Sequence, residues 1–108
     1  MYKKGVVVLV PFPFTDLSGN KVRPALIISK NLSGSDIVVV FLTSQGKGKK
    51  EHMVSVMPDS TNGLKVASQI VCGKIATLDK KIVLGELGTI SKDTQQSVDI
   101  QLKKVLGL

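Results

Sequence analysis

The chain has 108 residues, 43% of them hydrophobic, a formal net charge of +7 and one cysteine. That length predicts one domain over residues 1–108 with a limited core, and a lone Cys72 excludes an intrachain disulfide and agrees with a reducing, cytoplasmic setting. No apolar run is long enough for a membrane span, no small-residue cleavage site follows the first one, and the positive balance points to a polyanionic partner, either nucleic acid or an acidic protein.

Residues 5–10 form a valine-rich run stopped by Pro11, which predicts a buried strand. Residues 12–22 hold Pro13, Asp16, Ser18, Gly19 and Asn20, all turn formers, so a loop is expected there. A second strand is expected over residues 24–29. Arg23 stands at its entrance, held extended by the proline that follows it. It is the only arginine among the 15 basic residues, and only arginine grips phosphate in a planar fork. After a turn at 31–36, residues 37–42 predict a third strand that closes on Thr43 and Ser44. Residues 45–50 are rich in glycine and lysine and predict a basic loop.

Residues 52–57 alternate His52, Val54 and Val56 against Met53, Ser55 and Met57, a half-exposed strand that Pro58 ends. Residues 59–63 predict a turn, and 66–74 and 82–87 the last two strands. Ser91 then caps a helix, with Asp93 in its first turn, Lys103 and Lys104 in its last, and Gly107 as its stop. Val98, Leu102, Val105 and Leu106 make its apolar stripe and predict core contact. The plan is an α+β, mainly β domain: about five to six short strands in a small barrel, then one amphipathic helix.

Most chemistries are excluded. One histidine and one cysteine cannot make a usual zinc site, and the 8 acidic residues are scattered without the pairing that magnesium needs. There is no Walker or Rossmann glycine loop and no Gly-x-Ser-x-Gly elbow. With 3 phenylalanines and 1 tyrosine, no aromatic platform for stacking bases is available. On residue type alone, Arg23 reads first as a surface ion pair, Thr43 as strand propensity, His52 as a half-buried edge residue and Cys72 as packing.

A resemblance shifts that balance. The stretch from Gly5 through Pro11, Thr15, Gly19, Arg23-Pro24-Ala25-Leu26 and Ser29 resembles the opening of MazF/PemK-type toxins: a strand, a glycine-containing loop, then Arg-Pro-Ala-Leu. Phe41-Leu42-Thr43-Ser44-Gln45 is similar to that family's Thr-Ser strand end. Thr77-Leu78-Asp79-Lys80 with Leu84-Gly85-Glu86-Leu87-Gly88 resembles its later block, and the closing helix also fits. Two departures stand out. Ala76 occupies a position where many relatives have arginine, and of an Arg-x-Asp-Lys stretch common in closer relatives only Lys74 is kept.

The resemblance implies an SH3-like barrel of the MazF/PemK/CcdB type with a C-terminal helix, working as a homodimer. It implies a toxin that cuts single-stranded RNA selectively, without metal or cofactor, to 2′,3′-cyclic phosphate and 5′-OH ends, and that a cognate antitoxin inhibits. The family's catalytic pair falls on Arg23 and Thr43. The two loops beside that pair would then flank the RNA, through Thr15, Ser18, Asn20 and Lys21 from the first and Ser44, Gln45, Lys47, Lys49 and Lys50 from the second. Lys74 would add a contact from the fifth strand. The competing readings are a toxin of the same fold that inhibits a protein target such as gyrase, and a silent RNA-binding barrel. Neither requires Arg23 together with Thr43.

Overall fold

The computed structural model describes residues 2–11, 21–30, 32–44 and 51–108. The loop residues 12–20 and 45–50 lie outside them, and with them Thr15, Ser18, Asn20, Gln45, Lys47, Lys49 and Lys50.

Six strands are laid down in order: β1 (Val6–Pro11), β2 (Val22–Ile27), β3 (Asp36–Thr43), β4 (Met53–Val56), β5 (Ser68–Asp79) and β6 (Gly85–Thr89). They form one antiparallel sheet in the order β4-β5-β3-β2-β1-β6. The central strands are buried on both faces, as their unbroken apolar runs require. One face gathers Val7, Leu26, Val40, Leu42, Ile70 and Cys72 with Val98 of the helix. The other gathers Val8, Val10, Ala25, Ile27, Val39 and Phe41 with Leu78.

The fifth strand departs from expectation. Predicted to stop at Lys74, it continues to Asp79, because Gly73 and Lys74 form a bulge rather than an end. Val40 pairs with Ile75, but the next residue, Phe41, pairs with Val71. The extra residues bend the strand. Its first part is thereby sandwiched between β3 and β4, while its second part carries Leu78 to the other core. The sixth strand starts later than predicted. Asp79 accepts a hydrogen bond from the Lys81 N–H at 2.9 Å and caps a short 3₁₀ turn over Lys80–Ile82, so Ile82 belongs to that turn.

The sheet curls until its two edges meet. The turn after β4 reaches β6, where the Thr89 N–H donates to the Thr61 carbonyl at 2.8 Å. Asp59 organises that turn by accepting from the backbone N–H groups of Thr61 and Asn62, both at 2.8 Å. Asn62 is completely buried, donating to the Met57 carbonyl at 2.8 Å and accepting from the Leu64 N–H at 2.9 Å. Glycine is required where turn and strand touch. A Cβ on Gly88 would overlap the Thr61 carbonyl oxygen, and one on Gly63 the Leu87 carbonyl oxygen.

The helix α1 (Lys92–Leu106) is bounded as expected, with Ser91 accepting from the Thr94 N–H at 3.2 Å and Gly107 in the left-handed conformation at φ 71°. Its stripe is narrower than predicted. Val98 and Leu102 join the core, but Leu106 is 56% exposed. Eight residues past Val98, Leu106 has drifted about 80° around the helix, out of the seam. Among the described residues, no helix is long and apolar enough to cross a membrane.

Candidate functional site

The site begins where two strands stop pairing. β2 and β3 are matched through Leu26 with Val40 and Ala25 with Phe41, and the ladder ends there. The next residue is Pro24, which has no N–H to donate. On its other side β2 stays paired, Val10 with Arg23 and Pro11 with Val22. The backbone of Arg23 is therefore paired to β1 at a point where the ladder to β3 has ended. Continuing the lapsed register by two residues sets Arg23 opposite Thr43, and both are half-buried. Strand alternation puts the two on one face, that of Val10, Ala25 and Phe41.

Beside this opening lies a cavity of about 510 Å³. Leu9, Pro24, Leu42, Leu64 and Leu87 give it an apolar floor. Lys21, Arg23 and Ser44 form one wall, and the segment from Gly63 to Ser68 forms the other, with Lys65 on it. Among the described residues, the ionisable ones that line it are the cations Lys21, Arg23 and Lys65. Low-dielectric floors strengthen the pull of such charges on an anion.

Of the expected site residues within the described chain, Arg23, Lys21 and Ser44 line the cavity. Thr43, the last residue of β3, sits between the lining residues Leu42 and Ser44 but does not line it, because strand alternation turns it to the face of Phe41. Lys74 does not; it stands exposed in the β5 bulge, away from the lining residues. Lys65 and Ser68 were missed. Nothing local marks them, because they reach the cavity only through the closure of the turn onto β6. Ser68 is buried, its hydroxyl donating to the Val66 carbonyl at 3.0 Å.

The remaining reactive residues have structural surroundings. Cys72 is fully buried, and burial pushes its thiol up to about 11, the opposite of an activated nucleophile. His52 is half-buried beside β4, with Nδ1 3.3 Å from the Gln101 Oε1 of the helix and Nε2 3.7 Å from a Glu51 carboxylate oxygen. Among the described residues, no three His, Cys, Asp or Glu side chains converge in the manner of a metal site.

The sequence profile of the PemK-like, MazF-like toxins of type II toxin–antitoxin systems matches residues 3–106. No curated protein matches the chain in sequence. Among solved structures, it is similar to an endoribonuclease in complex with its cognate antitoxin from a mycobacterial species. That match has 25% identity and a TM-score of 0.79, and covers 98% of this chain and 95% of that one. A second mycobacterial endoribonuclease is 27% identical with a TM-score of 0.75, over 98% and 91% of the two chains. MazF from Deinococcus radiodurans shares the fold at 22% identity with a TM-score of 0.77, over 98% and 96%.

Proposed function

The chain belongs to the PemK-like, MazF-like toxins of type II toxin–antitoxin systems, and from that premise we propose that it is an endoribonuclease that cleaves single-stranded RNA without a metal. The observation that carries this reading is Arg23 opposite Thr43 along the continued β2–β3 register, at the edge of a cavity whose ionisable lining, among the described residues, is cationic. A cationic lining attracts a phosphodiester and supplies no ligand for a divalent ion.

RNA carries its own nucleophile. The 2′-oxygen attacks the adjacent phosphorus and the bond to the 5′-oxygen breaks. Water accepts the proton of the 2′-OH and supplies one to the departing oxygen, leaving a 2′,3′-cyclic phosphate and a 5′-OH. The role of Arg23 is to neutralise the phosphorane with two parallel N–H donors. The Thr43 hydroxyl orients the 2′-OH or a phosphate oxygen. Incubating the purified protein with RNA in excess EDTA and identifying the end groups tests the reading. Cyclic phosphate and 5′-OH ends are expected; 5′-phosphate ends, or activity lost to EDTA, overturn it.

The partners follow from the same premise. Two similar chains occur in complex with antitoxins, the mycobacterial endoribonuclease and the Deinococcus MazF, and the cationic cavity suits an acidic antitoxin segment that competes with RNA. We also infer a homodimer in the cytoplasm, since Val66, Leu84 and Leu106 are each more than half exposed and a chain this small gains by covering them. A monomer in sedimentation at micromolar concentration would count against it.

A further inference from the structure

We propose that Lys65 is a substrate-positioning residue, holding a second phosphate of the RNA strand whose scissile phosphate lies at Arg23. The inference rests on the endoribonuclease reading and adds to it a fixed second wall for the substrate.

Lys65 lines the same cavity as Arg23 but comes from a different part of the chain, the segment between β4 and β5. It is exposed, and among the described residues no carboxylate pairs with it. A lysine that is simply solvated usually sits on a segment free to move, and this one does not. Before it, the Leu64 N–H is bound by the buried Asn62 side chain at 2.9 Å, and the Leu64 side chain is packed in the core. After it, Ser68 is buried and enters the sheet as the first residue of β5. Gly63 is seated against the backbone of Leu87. Lys65 thus springs from a short bridge anchored at both ends. A fixed origin lowers the ordering cost of a long side chain, which is the main penalty for using lysine as a phosphate clamp.

The floor between the two walls explains why two cations are wanted. Leu9, Pro24 and Leu87, each half-buried, present apolar surface on which one unstacked base can lie. The described chain offers no exposed aromatic side chain to take that role, since Tyr2 and Phe41 both belong to the second core cluster. A nucleotide whose base covers the floor carries one phosphate toward each wall. Arg23 engages the one that reacts. Lys65 engages the other, and so sets where along the strand the reacting bond comes to rest.

The test uses 2′-O-methyl RNA, which lacks the nucleophile and reports binding alone, titrated over a range of salt with the full chain. Lys65→Gln should bind more weakly and lose about 0.7 in log–log salt slope, the value for one single-strand phosphate contact. Lys65→Arg should restore the slope. On cleavable RNA, Lys65→Gln should raise KM several-fold with kcat nearly unchanged, a split that a loss of structure would not produce. Lys103→Gln, on the exposed helix surface, controls for general charge. An unchanged slope in Lys65→Gln, or an equal loss in Lys103→Gln, overturns the inference. If the wild type binds 2′-O-methyl RNA with the predicted Lys65 dependence but cuts nothing, it is the nuclease reading that fails. If it binds no RNA at all, both fail.

Discussion

The two walls of the cavity are built on opposite principles. On the Arg23 wall the backbone ladder between β2 and β3 has stopped, because Pro24 cannot extend it, and the strand ends carry the polar residues Arg23 and Thr43. On the Lys65 wall nearly every polar group is committed: Asp59, Asn62 and Ser68 all bind backbone of their own segment. The difference teaches where a small barrel can afford chemistry. A reacting group needs room for substrate, which an interrupted ladder provides. A positioning group needs an immobile origin, which a saturated buried turn provides.

Removing the chemistry from the first wall should have the largest effect. Arg23→Ala should slow RNA cleavage by about 10²–10³-fold or more, the usual cost of losing one preorganised donor to a developing anion. No other arginine exists to replace it. Arg23→Lys should recover little, because an ammonium lacks the fork. Thr43→Val keeps the β-branched shape and isolates the hydroxyl. The readout is initial rate on one oligonucleotide, with circular dichroism to confirm folding. A folded Arg23→Ala that cuts within a few-fold of wild type would move the chemistry elsewhere in the molecule.

Damage to the second wall should instead read out as lost stability. Gly88→Ala places a methyl against the Thr61 carbonyl, where only backbone can give way. Overpacking of that kind costs about 1–3 kcal/mol, and a fall in Tm on the order of 10 °C is expected for a domain of this size. Gly85→Ala, on the same strand with nothing within 4 Å of the new methyl, is the matched control and should be nearly neutral. Equal melting temperatures for the two variants would mean that the turn does not brace the barrel.

The same contrast governs what could be read from the chain. The buried strands β1 to β3 and the capped helix were legible, since valine runs, Pro11, Ser91 and Gly107 are local signals. The second half of β5 was not. Gly73 and Lys74 look like a strand end, and only pairing with β3 turns them into a bulge. Leu106 has stripe spacing, but its exposure depends on how far the seam follows the helix. At the site, Arg23 could be singled out as the lone guanidinium after a turn-rich loop, and Thr43 through a family motif. Lys65 could not, because its place at the cavity is created by the contact of Thr61 with Thr89, residues distant in the chain.

The smallest expected effect concerns the charge that organises the second wall. The backbone N–H groups of Thr61 and Asn62, and then the Thr61 hydroxyl, hold the Asp59 carboxyl below its ordinary value of 3.8. A carboxyl depressed in the folded state contributes stability above its unfolded pKa, and that contribution is lost as pH falls through the folded value. Asp59→Asn keeps the shape and one acceptor oxygen but never carries the charge. Wild type should therefore melt slightly above Asp59→Asn at about pH 6, and the gap should narrow as pH falls below the ordinary carboxylate range. The effect stays small because the carboxylate is in full contact with solvent. A gap that stays constant as pH falls would show that the turn is held by shape alone and that the charge on Asp59 contributes nothing to the wall that carries Lys65.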